Sequence, residues 1–322
     1  MRIIAIGATV VGWSAFAAAV AGLAARYLPI TWHIVLIASA LSPYLMAGAV
    51  FAVLVFAMRR LWIPFGVAAA LVIASTTVET PLWASQPVDR ADTSTVRVMT
   101  ANLYLGQADP ASVVAMAESN ADLLAVQELT PEESERLSAA GIDRVFPYRV
   151  LDPRPEASGT GLWSRFPTSL PRVHSGYVNG LISARTHLTG VAEDLTVLVA
   201  HMPGPWPQPL GMWADELGSA PQALSDAARA AGAGCVIVAG DFNATFDMKP
   251  FRNLLRDGYR DGAEQAGSGI TATYPANSAV PPLIAIDHVL THQCTVTSVR
   301  VVKLPGSDHR GLISTVEVPK SP

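Results

Sequence analysis

The N-terminal part of the chain consists of three long apolar runs with very few charged residues. A helix of about 20 apolar residues crosses a hydrocarbon core of ~30 Å, and the runs approach or exceed that length. We therefore predict an anchor at residues 1–80 with three transmembrane helices, at about 3–25, 34–57 and 61–78. Two alternatives stay open. The first run has features of a cleavable signal peptide, and the middle run could form a hairpin instead of one span.

The few arginines of the anchor predict its orientation, because basic residues stay preferentially in the cytoplasm. Arg2 and the pair Arg59–Arg60 fit a cytoplasmic location, and Arg26 alone falls on the opposite side. With three spans, the chain after Val78 then lies outside the cytoplasm. Proline and polar residues predict a short linker at 81–94.

From about Thr95 the pattern changes to short apolar runs that alternate with segments of helical spacing. Asp109 is expected to cap a helix at 110–119, and an Ala-rich helix is expected at 218–231. The predicted strands are Val96–Ala101, Asp122–Val126, Leu195–Ala200, Cys235–Ala239, Ile284–Leu290, Thr295–Val302 and Leu312–Val318. This alternation predicts one α/β domain at 95–322 with a sizeable core.

Composition changes at the same boundary. Half of the 322 residues are hydrophobic and only 15% are charged, but these figures average two unlike parts. Up to Val88 there are 4 basic residues and 1 acidic residue, whereas the remainder carries 18 basic and 25 acidic residues. A nuclease is expected to present a basic face, because counterion release drives binding to phosphate backbones. The acidic balance and the lack of a Lys/Arg cluster argue against a nucleic-acid partner.

Polar and ionisable residues follow or end the apolar runs of the second part. Since strand ends collect at the edges of sheets, we expect these side chains to form one site. Taken singly, Glu128 could cap a helix, Asp287 could form a turn and Asp308 could be an N-cap. The residues in question are Asn102, Glu128, His201, Asp241, Asn243, Asp287, His288, Asp308 and His309.

These residues lie in short strings whose order resembles the endonuclease/exonuclease/phosphatase superfamily, which has the DNase-I-like fold. The resemblance implies a two-sheet α/β sandwich, here preceded by three transmembrane helices, and metal-dependent cleavage of phosphate esters or anhydrides. The strings are Met99-Thr100-Ala101-Asn102, Gln127-Glu128, Gly161-Leu162-Trp163-Ser164-Arg165-Phe166-Pro167, Ala200-His201, Gly240-Asp241-Phe242-Asn243, Ile286-Asp287-His288-Val289 and Ser307-Asp308-His309-Arg310-Gly311.

The chemistry of phosphate cleavage requires a cation and donors directed at the charge that develops in the transition state. Glu128 suits Mg²⁺, or Mn²⁺, because hard cations prefer carboxylate oxygens. By the resemblance, Asn102 and Asp308 lie beside Glu128 as direct or water-mediated metal ligands. The sequence leaves open whether one or two metal ions bind.

The resemblance also implies the catalytic residues. His309 and Asp287 match the family's pair in which a carboxylate orients an imidazole, and a histidine near its usual pKa of ~6.5 can accept a proton from water. Asp241 is the competing candidate for water activation, and Asn243 is a neutral donor to a phosphate oxygen. His201 matches a second histidine that assists the leaving group, although Ala200 and Met202 flank it where members often have Asn or Ser.

Two further features bear on the substrate and the compartment. The segment from Met202 to Trp213 is apolar and rich in proline, and it begins beside His201. It either packs over the edge of the sheet or forms a lip that contacts a lipid-linked substrate or the bilayer. Cys235 and Cys294 could pair in a disulfide outside the cytoplasm, or Cys235 could be a small buried hydrophobic residue.

We therefore expect a multi-pass membrane protein whose extracytoplasmic domain is a divalent-metal-dependent phosphohydrolase. The layout resembles membrane members of the superfamily linked to teicoplanin resistance (VanJ-type proteins), which implies undecaprenyl pyrophosphate as the lipid-linked substrate. The alternatives are an extracytoplasmic nuclease or phosphodiesterase acting on DNA or phospholipid headgroups, and a catalytically silent binding module. The sequence points to no protein partner.

Overall fold

The computed structural model describes residues 2–87, 92–206 and 208–321, with the side chains of residues 2–5 left out. Part of the predicted linker at 81–94, Pro207 of the apolar segment and the side chain of Arg2 fall outside the described residues. The chain forms two compact units. The first, the helical unit, contains Met1–Pro81 and Thr245–Arg252, and the second, the sandwich, contains Leu82–Ala244 and Asn253–Pro322.

The helical unit begins with four helices, and small residues let two of them pack closely. A Cβ added at Gly48 of α3 would lie 2.7 Å from the carbonyl oxygen of Ala15 in α1. Gly12 of α1 faces Val55 in the same way, so the two helices run antiparallel, with an interface of the small-residue type. The helices are α1 Arg2–Ala25, α2 His33–Ala40, α3 Ser42–Met58 and α4 Trp62–Trp83.

Two or three of these helices could cross a membrane by length and composition. Ile6–Ala25 and Trp62–Trp83 are each long and apolar enough by themselves. The helices α2 and α3 together make a third candidate, but they are bent by 68° at the break between them. Side chains such as Ile63, which is 83% exposed, leave a largely apolar surface on the helices. Such a surface is expected of helices that face lipid.

The sandwich consists of two six-stranded mixed sheets, which confirms the predicted fold class. The first sheet has the strand order β11-β12-β1-β2-β4-β3, and its central pair, β1 and β2, is parallel. Its strands are β1 Thr93–Asn102, β2 Leu123–Gln127, β3 Tyr148–Asp152, β4 Thr160–Ser164, β11 Thr295–Lys303 and β12 Arg310–Pro319.

The second sheet has the order β5-β6-β7-β8-β10-β9, and here β7 and β8 are the parallel central pair. Its strands are β5 Thr168–Val173, β6 Leu181–Thr186, β7 Leu195–His201, β8 Val236–Asp241, β9 Arg260–Asp261 and β10 Asp287–His292. The remaining helices are α5 Pro110–Asn120, α6 Pro131–Ala140, α7 Ile142–Val145, α8 Leu210–Ala231, α9 Lys249–Arg252 and α10 Gly262–Ala266.

The core of the sandwich lies between the two sheets. Residues of both sheets, such as Val98, Leu123, Val197 and Ile237, form one buried apolar cluster. The other face of the first sheet is covered by α5 and α6, which accounts for its continuous rather than alternating apolar strands. Because these strands are buried on both faces, polar residues follow only where a strand leaves the core, which places them at the ends of the strands.

Local predictions hold in most of the sandwich, and the main correction concerns α8. The seven predicted strands are present within a few residues, and the Asp109 carboxylate caps α5 by accepting a hydrogen bond from Ser112 N at 2.8 Å. The helix predicted at 218–231 instead begins at Leu210, so the second half of the apolar segment is helical. Cys235 and Cys294 form a disulfide, with their Cα atoms 5.4 Å apart.

Candidate active site

The pairing of strands brings the predicted polar residues to one edge of the sandwich. Asn102 ends β1, and His201 and Asp241 are paired at the ends of the parallel strands β7 and β8. Asp287, at the start of the antiparallel strand β10, is also paired with Asp241. The amide Nδ2 of Asn102 donates to Asp241 Oδ2 at 3.0 Å, which joins the edges of the two sheets.

Asp241 is the central carboxylate of this cluster, and only 1% of its surface is exposed. Its Oδ1 accepts a hydrogen bond from Asn243 N at 2.8 Å. The preceding Gly240 is required by packing, because a Cβ there would lie 1.8 Å from the carbonyl oxygen of Ala200 on β7. Burial, followed by the nearby negative charge of Asp287, raises the pKa of Asp241 to about 7. Asp241 can therefore take up or release a proton near neutral pH.

His309 is oriented by Asp287 through a hydrogen bond of 2.8 Å between Nδ1 and Oδ2. Its other ring nitrogen, Nε2, is directed toward Asp241 Oδ2 at 3.8 Å. Burial lowers the pKa of His309, but the charges of Asp287 and Asp241 outweigh that effect and raise it to about 10. The carboxylates of Asp287 and Asp241 thus favour the protonated ring, whereas the sequence suggested a histidine near its usual pKa.

Two residues that the sequence did not single out fix the position of His309. Ser307 Oγ accepts a hydrogen bond from His309 N at 2.9 Å and donates to the carbonyl oxygen of Asn102 at 2.7 Å. Tyr274 packs its ring against the imidazole, with the ring centroids 5.0 Å apart. Ser307 belongs to one of the short strings described above, whereas nothing in the local sequence marks Tyr274.

Glu128 is held in a strained backbone conformation beside Asn102. Its φ of +57° is rare for a residue other than glycine, and such strain is often found at functional sites. Glu128 Oε1 accepts from Asn102 Nδ2 at 3.0 Å, and Oε2 accepts from Leu105 N at 2.6 Å. Burial raises the pKa of Glu128, with the hydrogen bond from Asn102 opposing the shift. These two hydrogen bonds fix both carboxylate oxygens of Glu128 beside the end of β1.

The carboxylates of the cluster fit a divalent cation. Asp308 Oδ1 and Asp287 Oδ1 are buried and have no hydrogen-bond partner among the described residues. Burial also raises the pKa of Asp308. Glu128 and Asp308 could hold an ion, and so could the carboxylates of Asp241 and Asp287, whose ligand atoms lie within 4.8 Å of each other and of a ring nitrogen of His309. His309 itself could bind an ion only with its ring deprotonated. Buried carboxylates in such number are stabilised by a bound cation.

Asn102 orients two carboxylates of this arrangement through its side-chain amide. Its Nδ2 faces the carboxylates of Glu128 and Asp241, and its Oδ1 accepts a hydrogen bond from Tyr104 N at 2.9 Å. In this orientation Asn102 positions two carboxylates, and its role as a metal ligand stays a prediction.

His201 lies on the other side of the central carboxylate. Its Nε2 is 3.9 Å from Asp241 Oδ2 and 4.0 Å from Glu128 Oε1. Burial, followed by the positive charge of His309, lowers the pKa of His201 to about 3, so the ring is neutral. Asn179 Nδ2 lies 3.4 Å from Nε2, which supplies the amide that the flanking residues lack. Asn179 comes from the segment before β6, so its distance along the chain hides it from sequence reasoning.

Asn243 holds the start of the apolar segment that follows His201. Its Nδ2 donates to the backbone carbonyl oxygen of Met202 at 2.9 Å, and the backbone carbonyl oxygen of Asn243 accepts from Trp213 Nε1 at 3.1 Å. Trp213 is fully buried, so it packs in the core and is not part of a lip. Trp206, by contrast, is 68% exposed, and Met212 is 41% exposed. The role of Asn243 as a phosphate donor stays a prediction.

Comparison with known proteins identifies the family to which this site belongs. The model of the Endonuclease/Exonuclease/phosphatase family matches residues 99–309, which is more than half of the chain. The chain belongs to this family. The matched range includes every site residue described above, from Asn102 to His309. Comparison with curated proteins gives no match.

Solved structures of the endonuclease/exonuclease/phosphatase family share the fold of the sandwich. TDP2 of D. rerio in complex with a single-strand DNA product is 18% identical, with a TM-score of 0.56, and the match covers 69% of this chain and 99% of that one. A family protein from Bacteroides vulgatus is 15% identical, with a TM-score of 0.57, and covers 70% and 99%. Beta toxin 275-280 from Staphylococcus aureus is 14% identical, with a TM-score of 0.53 and coverage of 68% and 99%.

Membership in the endonuclease/exonuclease/phosphatase family makes the chain a hydrolase of phosphoester bonds. The family is typically dependent on divalent metal ions, and the cluster around Asp241 provides a possible site for one. The geometry combines the Asp241 carboxylate, which titrates near neutral pH, with an imidazolium 3.8 Å away and a neutral imidazole 3.9 Å away. These are the groups needed to activate water and to neutralise charge on a phosphate.

Proposed function

We propose that the protein is a membrane-anchored, Mg²⁺- or Mn²⁺-dependent phosphohydrolase that acts outside the cytoplasm on a lipid phosphate or pyrophosphate. Undecaprenyl pyrophosphate is the substrate that we consider first. The lipid bilayer is then the surface from which the substrate is taken. A role in resistance to teicoplanin stays a prediction that rests on resemblance.

The observation that carries this proposal is the exposed apolar surface of the segment after His201. Trp206 and Met212 expose large apolar side chains close in sequence to a residue of the site. Tryptophan favours the bilayer interface, where an apolar ring meets polar headgroups. The acidic balance of the chain after Val88 supports a lipid substrate over a nucleic acid.

Two observations support a location outside the cytoplasm. Arg59, after α3, donates to Thr9 Oγ1 near the start of α1 at 3.2 Å, whereas Arg26 lies after the other end of α1. The pair Arg59–Arg60 therefore fits the cytoplasmic end of the helices, by the preference of basic residues for that side. The disulfide Cys235–Cys294 supports the same orientation, because disulfides persist mainly outside the reducing cytoplasm.

Asp241 is the residue that we assign to accept a proton from the attacking water. Its pKa of about 7 suits a general base at neutral pH. The imidazolium of His309, held by Asp287, donates to a phosphate oxygen and neutralises the charge that develops there. A divalent ion held by Glu128 and Asp308 would supply Lewis-acid stabilisation of the same phosphate.

The protonation state of His201 favours an anhydride over an ester. With a pKa of about 3, His201 has no proton to give to a leaving alkoxide and can only donate a hydrogen bond. A lipid monophosphate leaves without protonation, since the second pKa of a phosphate monoester is ~6. Cleavage of a pyrophosphate therefore needs no proton from His201, whereas cleavage of a phosphodiester releases an alkoxide that does need one.

The second candidate function is cleavage of DNA or of phospholipid headgroups. The observation that favours it is the shared fold with TDP2, which was solved with a single-strand DNA product. The two functions differ in the leaving group and in the charge of the surface that the substrate requires. They also differ in the effect of salt, because binding of DNA weakens steeply as ionic strength rises.

A substrate panel tests the proposal. The full chain, solubilised in detergent with Mg²⁺, would be given undecaprenyl pyrophosphate, a phosphodiester lipid or single-stranded DNA, with Glu128→Gln as the blank. We expect phosphate release from the pyrophosphate above the blank and little turnover of DNA. Inactivity on the pyrophosphate together with salt-sensitive cleavage of DNA would favour the second candidate.

The role of the apolar surface is tested with Trp206→Ser. We expect a loss of several-fold in turnover of the lipid substrate and little change with a small soluble phosphodiester, because only the lipid contacts the surface. Leu170→Ser is the control, since Leu170 on β5 is another large apolar side chain of similar exposure, 74%. Equal losses on both substrates would show that Trp206 contributes through packing.

A further inference from the structure

We propose that Arg26, in the turn after α1, is a positioning residue that orders the segment following the catalytic strand β8. The helical unit would then do more than anchor the protein, since it orders the segment that follows β8 in the chain. The inference goes beyond the proposed function and does not depend on the substrate.

The segment in question is Thr245–Arg252, which belongs to the helical unit although the residues on either side of it belong to the sandwich. It begins two residues after Asn243. The chain just before it is fixed within the sandwich, because the carbonyl oxygen of Ala244 accepts a hydrogen bond from His288 Nε2 at 3.0 Å. The chain from Thr245 onward is fixed by the helical unit.

Arg26 is the residue through which the helical unit holds this segment, and only 3% of its surface is exposed. Its guanidinium forms ion pairs with Asp247 and with Glu79 of α4, the latter at 3.0 Å. It also donates to the carbonyl oxygen of Val78 at 3.1 Å. The guanidinium lies over the ring of Phe246, 5.6 Å from its centroid. One buried cation thus joins α4 to two neighbouring residues of the segment.

Arg252 makes a second connection at the end of the segment. It donates to the carbonyl oxygen of Arg26, and it lies over the ring of Tyr27 at 5.6 Å. It also donates to the carbonyl oxygen of Phe246 at 3.1 Å, which closes the segment on itself. The backbone at 26–27 and both ends of the segment are therefore tied together.

The charges predict an asymmetry between the partners. Removal of Arg26 leaves the buried carboxylate of Asp247 and the partly buried carboxylate of Glu79 without this cation, and an uncompensated buried charge is strongly destabilising. Removal of the Asp247 charge leaves Arg26 paired with Glu79. Arg26→Ala should therefore disorder the segment more than Asp247→Asn does.

Hydrogen exchange of the full chain in detergent tests the proposal. Met248 N donates to Thr245 O at 2.9 Å and Arg252 N donates to Met248 O at 3.1 Å, so both amides should be protected in the wild type. We expect Arg26→Ala to speed their exchange by about tenfold or more, with a smaller increase in Asp247→Asn and in Arg26→Lys. Exchange in the strands of the sandwich should not change.

The matched control is Arg59→Ala. Arg59 donates to Thr9 and, among the described residues, makes no hydrogen bond or ion pair with the segment. Arg59→Ala should leave exchange at Thr245–Arg252 unchanged. If exchange at Thr245–Arg252 is also unchanged in Arg26→Ala, the proposal is overturned. If Arg26→Ala fails to fold, the same measurement is made on Asp247→Asn, which keeps the pair between Arg26 and Glu79. Faster exchange at Thr245–Arg252 in that variant would support the proposal, and unchanged exchange would overturn it.

A kinetic measurement separates positioning from general destabilisation. With bis(4-nitrophenyl) phosphate as a soluble probe, Arg26→Ala should lower kcat with KM nearly unchanged, and Arg26→Lys should restore part of the loss. Faster exchange of the segment with an unchanged kcat would overturn the claim that the segment matters for the site. The exchange result does not require turnover, so failure of this inference is distinguishable from failure of the proposed function.

Discussion

The helical unit and the sandwich depart in opposite ways from the rule that apolar side chains are buried and charged ones exposed. In the helical unit large apolar side chains such as Ile63 are exposed, while the charged Arg26 is buried. In the sandwich the apolar residues fill the core, and a group of buried polar residues that includes Asp241 and Asp287 lies at the edge where β1, β7, β8 and β10 meet.

Each departure has its own physical cause. Exposed apolar helices are stable where the solvent is itself apolar, so this surface indicates lipid. Buried carboxylates are unfavourable unless an opposite charge compensates them, so the cluster around Asp241 is a possible site for a cation. Arg26 is an exception within the helical unit, and its partners Glu79 and Asp247 explain its burial.

The largest expected effect comes from removing a carboxylate of the cluster. Glu128→Gln keeps the shape of the side chain but loses its charge, so we expect loss of activity by about 10³-fold or more with the fold intact. Phosphate release and circular dichroism measure the two properties. Glu132→Gln, an exposed residue in the first turn of α6, is the control. Retained activity in Glu128→Gln would remove the basis for the metal site.

His309→Ala tests the buried imidazolium. We expect kcat to fall by ~10²–10³, because a donor directed at the phosphate is lost and Asp287 is left without its partner. His187→Ala is the control, since that side chain is 61% exposed and pairs with Asp194 away from the site. A loss of less than tenfold in His309→Ala would contradict the role assigned to His309.

The pH dependence of turnover tests Asp241. Because burial raises its pKa to about 7, the carboxylate is increasingly protonated below that pH, and activity should fall about tenfold for each pH unit. Activity should fall again at high pH as His309, with its pKa raised to about 10, loses its proton. Activity that stays constant from about pH 5 to pH 7 would exclude Asp241 as the base.

A smaller effect is expected from the helical unit, where packing and not charge is decisive. A Cβ at Gly48 would lie 2.7 Å from Ala15 O, so Gly48→Val should separate α1 and α3 and lower the free energy of unfolding by about 1–3 kcal/mol. Gly7→Val is the control, because no heavy atom of the described residues lies within 4 Å of a Cβ placed there. Thermal unfolding in detergent compares the two variants. Equal melting temperatures would contradict the close packing of α1 against α3.

Much of the fold and of the site was predictable from the sequence, because burial on both faces makes the strands of the sandwich continuous apolar runs. Where such a run ends, a polar residue such as His201 or Asp241 marks the edge of the sheet. Local chemistry was sufficient for the cap at Asp109, whose carboxylate meets the first turn of its own helix.

The parts that sequence reasoning missed depend on contacts between residues distant in the chain. Asn179 reaches His201 from the segment before β6, and Tyr274 reaches His309 from a loop. The sequence left open whether the Met202–Trp213 segment packs or forms a lip, and the buried Trp213, which donates to Asn243 O, belongs to the packed part. The protonation of His309 likewise depends on two carboxylates that approach it only in the folded chain.

The central claim is that the site cleaves a lipid-linked phosphate at a membrane. The most direct test reconstitutes the full chain in liposomes that contain undecaprenyl pyrophosphate, with Mg²⁺ outside, and measures phosphate released to the outer solution. We expect release by the wild type and none by Glu128→Gln. No release from the lipid, with cleavage of added single-stranded DNA by the same preparation, would contradict it.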